Sequence, residues 1–405
     1  MPEQTAYSLN QNSLNNKDVV YFKNLDVLRI LAAMMVVIAH GYGSWNGWNG
    51  LLPLFRANVE NIRKPNLLGK FFTQFINNLG FGVDIFFLIS GFLITYILLK
   101  EKETFGTIAI KKFMVRRSLR IWPLYYIIVI FAPFLITFSN YIKPHWMAPT
   151  PAPNYLPYYF FLGNFDIIST GKWMFPFAHF WSICVEEHFY FVWPFILALV
   201  PNRHLIKVFV TIIIVSMVSR GYYFTYDPSN SGANIYLNTI CKIDVIIIGA
   251  IIAYIHYRKP ISLNTPKYLR ILLLIGFIGL ISNVSIYVAG NLFQVLIKKY
   301  LFVIWVGFLM LNFMFNKQPI FTLKKMKVLN YLGKISFGIY IYHNILLSLI
   351  TDNILARYGS ERITFLRFFI IYIGATVLMA VISWELFEKQ ILKLKKRFEL
   401  IKTAR

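Results

Sequence analysis

Two side chains that lipid rejects stand in one apolar run: Arg29 and His40, within LDVLRILAAMMVVIAHG at residues 25–41. On insertion scales an ionised side chain at membrane depth costs about 2.5–3.5 kcal/mol. In an α-helix the step from one to the other turns about 1100°, roughly 20° past three full turns, and rises about 16 Å. Both side chains therefore lie on one stripe, and Asp26 shares it. An imidazole titrates near neutrality, so His40 suits a general base or an acyl carrier. Arg29 suits an anion on the cytoplasmic side of the stripe. A purely architectural account would pair Asp26 with Arg29 at i, i+3 and tie the histidine to a neighbouring helix.

Three further constellations carry chemical groups. In GFGVDIFFLISGFLITYIL, residues 80–98, Asp84 enters an apolar span and Ser90-Gly91 permits close helix approach; packing explains Ser90 better than nucleophilic attack. In KKFMVRRSLRIWP, Arg116, Arg117 and Arg120 crowd a span's cytoplasmic mouth, where arginine forks suit phosphate groups. Lys111 and Lys112 need no explanation beyond topology. In AHFWSICVEEHFYFVWPF, residues 178–195, His179, Ser182, Glu186, Tyr190 and Trp193 recur along one helix face, and Glu187 points away from it. Glu186 is expected to orient His40 or take a proton, and an ion pair with Arg29 is compatible with either. Weaker sites are Lys242 with Asp244, the stripe Ser336, Tyr340 and His343, and the pair Glu385 and Glu388.

The elements that must position these groups are membrane helices. The chain has 405 residues, is 57% hydrophobic and 18% aromatic, and has only 14% charged residues, against about a quarter in soluble domains. Apolar runs near 25–43, 80–99, 119–138, 179–200, 205–224, 240–257, 269–290, 300–316, 335–351 and 363–385 predict an all-α polytopic bundle of about ten transmembrane helices. Counting loops by side gives 27 Lys and Arg on the side of the termini and 13 on the other. That bias predicts both termini in the cytoplasm. It also explains most of the +24 net charge without nucleic acid.

The sequence divides into a polar tail at 1–24, a membrane domain at 25–388 and a basic tail at 389–405. Residues 1–24 hold no apolar stretch, so the first span is expected to act as its own insertion signal. Two outward loops are long: 44–79, with WNGWNG, and 139–178, with PTPAPNYLP, where proline opposes regular helix. Cys184 and Cys241 form neither a disulfide framework nor a metal spacing.

Taken in order, these segments resemble the integral-membrane acyltransferase 3 family, over residues 22 to 392. The family's Arg-x10-His matches Arg29 and His40, its FFxxSGF matches Phe86 to Phe92, and its RRxxRxxP matches Arg116, Arg117, Arg120 and Pro123. Its H-x-WSLxxEEQFY matches His179 to Tyr190, its RxDxxxxG matches Lys242 to Gly249, and its ISYxxYLxH matches Ile335 to His343. A closing glutamate matches Glu388. His188 stands for a usual Gln, Lys242 stands for a usual Arg, and no Pro follows Lys389.

The resemblance implies O-acylation of cell-surface glycans or small molecules. The expected reaction moves an acyl group, acetyl first, from acyl-coenzyme A to a carbohydrate hydroxyl at the cell (cytoplasmic or inner) membrane, with acetyl-CoA as co-substrate and no metal. Catalysis is assigned to His40, Arg29, Glu186 and Glu187, and coenzyme A contacts to Arg116, Arg117 and Arg120. Substrate contacts are expected from Asp84, Ser90, His179, Trp181, Ser182, Tyr190, Asp244, Tyr340 and His343. The rival function is a transporter or flippase for a lipid-linked glycan or small solute. It fits less well, since the sequence lacks an internal repeat and paired Gly/Pro-broken spans.

Overall fold

The computed structural model describes residues 20, 22, 24–48, 67–283, 291–317, 327–355 and 364–401. Among them the chain is helical, with no strand beyond isolated bridges. The helices used below are α1 (Leu25–Trp48), α2 (Leu67–Asn78), α3 (Gly82–Phe105), α4 (Ile110–Ile142), α5 (Gly163–Thr170), α6 (Trp181–Leu199), α7 (Leu205–Tyr226), α8 (Ser231–Leu237), α9 (Thr239–Arg258), α10 (Lys267–Asn283), α11 (Lys299–Phe315), α12 (Lys327–Lys334), α13 (Ser336–Ile350), α14 (Phe365–Ser383) and α15 (Lys389–Lys395).

Eight helical segments among the described residues are long and apolar enough to cross a membrane. The two other expected spans are helical but shorter: α10 has 17 residues and α13 has 15. Residues 284–290, which would complete the first, lie outside the described residues, as do 49–66 of the first outward loop. The second gives way to a π-helical turn at Thr351–Leu355. The proline run at 150–153 stays irregular, as its missing amide donors dictate.

The bundle is held by close backbone contact. Among the described residues, helices α3 and α9 make the most extensive crossing. A Cβ on Gly91 would strike the Ile246 carbonyl, and one on Gly249 would strike that of Leu88. Each glycine therefore lets the other helix's backbone approach, the small-residue packing that stands in for the missing hydrophobic drive inside lipid.

Buried charges are paired between α9 and its neighbours. Asp244, fully buried, accepts from Arg220 of α7 at 2.5 Å and Lys299 of α11 at 2.8 Å. Asp84 of α3 accepts from Lys242 of α9 at 3.1 Å. The Lys242 ammonium also lies 4.7 Å from the Tyr236 ring centroid and 5.6 Å from that of Trp181. The helix continues through a π turn at Trp384–Glu388 into α15, which packs against α4.

Candidate active site

Five helices line a recess that opens to the surroundings on one side. Helix α1 contributes Arg29, α4 gives Arg117 and Arg120, α3 gives Ser90, α6 gives Ser182, Glu186 and Tyr190, and α13 gives Ser336 and Tyr340. Phe86, Phe87, Leu93 and Phe337 supply apolar wall. Helical spacing explains the convergence: Ser182, Glu186 and Tyr190 step by four, and so do Ser336 and Tyr340, so each set projects from one stripe.

Charge within the recess is asymmetric. Arg29 is paired with Asp26 at 2.8 Å, the i, i+3 contact that the architectural account of the stripe offered. Arg117 and Arg120 have no hydrogen bond or ion pair among the described residues, and the Arg117 Nε is buried without an acceptor. The Arg117 guanidinium lies 5.6 Å from the Phe113 ring and 5.9 Å from that of Tyr190. Among the described residues the one carboxylate on the wall, Glu186, accepts from Ser90 at 2.8 Å and from Tyr190 at 3.0 Å. Cationic forks in a partly apolar chamber form an anion-binding arrangement.

Beyond Tyr340 lies a cluster of three histidines. The Tyr340 hydroxyl meets Ser182 Oγ at 2.6 Å and donates to the His179 carbonyl at 3.1 Å. His40 Nδ1 lies 2.9 Å from His343 Nε2, and the two ring planes are within 17° of each other, with centroids 5.1 Å apart. His343 Nδ1 is bonded to the Tyr340 carbonyl, and His179 Nε2 to that of Ile341 at 2.9 Å. The His179 ring packs edge-on against His343, centroids 4.9 Å apart. His343 and His179 are buried, while His40 is exposed.

Several expected assignments change. Glu186 does not touch His40; the residue that holds His40 is His343, expected instead at the substrate. Arg116 does not face the recess. It is 100° around α4 from Arg117 and is consumed by Glu101 at 2.9 Å and the Phe398 carbonyl at 2.8 Å. Glu187 accepts from Trp122 at 2.9 Å, on another face of α6 from the recess. Asp84 and Asp244 are occupied by the ion pairs described above, and Trp181 packs over Lys242, so none of the three lines the recess.

Reading the sequence missed Glu101, Arg220 and the Phe398 carbonyl. Arg220 carried a signal, a lone cation in an apolar run. The Phe398 carbonyl carried none, because a backbone acceptor has no residue type. Among the described residues, no group of three or more His, Cys, Asp or Glu is placed to hold a metal ion.

This site sits inside the match to a known family. The family described as "Acyltransferase domain" matches residues 22–385, and the chain belongs to it. Its sequence is similar to the O-acetyltransferase OatA of Staphylococcus aureus (strain NCTC 8325 / PS 47), 26% identical over 393 residues, covering 92% of this chain and 57% of that protein. A provisionally named O-acetyltransferase of Staphylococcus aureus (strain COL) is 25% identical over 399 residues, with the same coverage. The chain thus spans about 57% of the length of these curated relatives. No solved structure matches it.

Proposed function

We propose that this chain transfers an acyl group, acetyl in the first instance, from a coenzyme A thioester to a hydroxyl of a cell-surface or envelope carbohydrate, from the cytoplasmic membrane. The observation that carries this reading is the junction at Tyr340. On one side lies a recess with unpaired arginines; on the other lies an exposed histidine whose ring is held by a second. The bias of basic residues supports an arginine end facing the cytoplasm, where acyl-coenzyme A would be supplied, and His40 nearer the outside.

Arg117 and Arg120, with Arg29 deeper, would bind donor phosphates. The apolar wall would take the pantetheine arm and exclude water that would hydrolyse the thioester. His40 would take the proton of the acceptor hydroxyl as its oxygen attacks the thioester carbonyl. The carbon–sulfur bond breaks, and the departing thiolate recovers that proton from the imidazolium. Glu186, away from His40, would offset part of the positive charge and hold Ser90 and Tyr190. In reconstituted protein with acetyl-CoA and a panel of sugar acceptors, His40→Ala should abolish transfer while leaving insertion and monodispersity intact. Full activity in that variant would remove His40 from the chemistry.

A further inference from the structure

The two-histidine contact fixes which nitrogen of His40 is free. A backbone carbonyl only accepts hydrogen bonds, so the His343 Nδ1 facing the Tyr340 carbonyl must carry a proton. A neutral imidazole has one N–H, which leaves His343 Nε2 as an acceptor. Its partner at 2.9 Å, His40 Nδ1, must then donate. Neutral His40 is left with an unprotonated Nε2, which makes no hydrogen bond among the described residues.

The alternative is a doubly protonated His343, which would turn His40 Nδ1 into the acceptor and leave His40 Nε2 protonated. The surroundings oppose it. Among the described residues, the titratable groups packed on His343 are His40 from α1, His179 ahead of α6 and Tyr340 on its own helix, with no carboxylate among them. A cation there would be buried without a counter-charge.

We propose that His343 is the positioning residue of this site: it locks His40 in the tautomer whose outward Nε2 can take a proton. The chain of contacts is Tyr340 carbonyl, His343, His40, reacting hydroxyl. His179 braces it from the side, its own Nε2–H spent on the Ile341 carbonyl. The Ser336, Tyr340 and His343 stripe of α13 thereby serves both compartments, with the Tyr340 ring on the recess and its carbonyl on the histidines. This inference rests on His40 acting as the base.

Two amide variants test it. A glutamine amide reaches roughly where imidazole Nε2 sits, whereas an asparagine amide mimics only Nδ1. In purified protein, His343→Gln should therefore keep transfer within about tenfold of the unaltered chain. His343→Asn and His343→Phe should lower kcat by ~100-fold, the low end of what a positioned base contributes, with the acetyl-CoA KM unchanged. Equal kcat in the Gln and Asn variants, both monodisperse, would overturn the tautomer assignment, as would a raised donor KM with kcat preserved. His40→Ala, run alongside, separates the two claims. If it is inactive while His343→Phe is fully active, positioning by His343 fails and the base reading stands. If both are active, the base reading itself fails.

Discussion

Adjacent arginines on one helix should fail in opposite ways. Arg116 and Arg117 differ by 100° around α4, and this decides their surroundings. Arg116 is buried, and it donates at 2.9 Å to a fully buried Glu101 and at 2.8 Å to the Phe398 carbonyl. Arg116→Ala would leave the Glu101 carboxylate, among the described residues, with only the Ala109 amide at 2.7 Å. Breaking a buried pair from one side costs about 3–5 kcal/mol, and the contact of Arg116 with the turn after α15 would be lost with it.

Arg117 has no such partner. It rests on the Phe113 and Tyr190 rings, contacts worth about 0.5–2 kcal/mol. Its removal should spare stability and remove a phosphate ligand instead. A hydrogen bond to a charged group is worth about 1.5–3 kcal/mol, and each 1.4 kcal/mol is about tenfold. Arg117→Ala should raise the acetyl-CoA KM ~10- to 100-fold with a nearly unchanged melting temperature, whereas Arg116→Ala should lower the melting temperature and leave KM alone. Thermal unfolding in detergent and steady-state transfer kinetics on the same preparations read both quantities. An unchanged KM in Arg117→Ala, or a raised KM in a fully stable Arg116→Ala, would refute the reasoning.

Other outcomes follow from the same geometry. Glu186→Gln deletes the recess's one wall carboxylate and should lower the donor KM ~2- to 5-fold through a stronger positive field; a collapse of kcat with KM fixed would instead return Glu186 to the reacting atoms. Lys242→Met should destabilise the bundle by about 3–5 kcal/mol by stranding Asp84, and adding Asp84→Asn should recover most of the loss; a non-recovering double variant in thermal melts would count against the pair being structural. Gly91→Leu should abolish folded protein in size-exclusion profiles, because the Ile246 carbonyl occupies the space of its Cβ. A normal profile would mean that α3 and α9 do not cross at these glycines.

The sequence alone determined the helices, the stripes and the family. Those are local properties: a 3.6-residue period sets which side chains share a face, and apolar runs about 20 residues long have no stable home but lipid. Arg29 with Asp26 was legible for the same reason, being three residues apart. What the sequence left open was pairing over distance. His40 and His343 are 303 positions apart, and Arg116 and the Phe398 carbonyl 282, and no periodicity carries information across such a gap. Asp84 and Asp244 looked available because a buried carboxylate is recognisable by type, whereas its counter-ion is chosen only when helices pack. Tertiary structure therefore decided which polar groups are spent holding the bundle and which are left without a partner among the described residues, as Arg117, Arg120 and the Nε2 of His40 are.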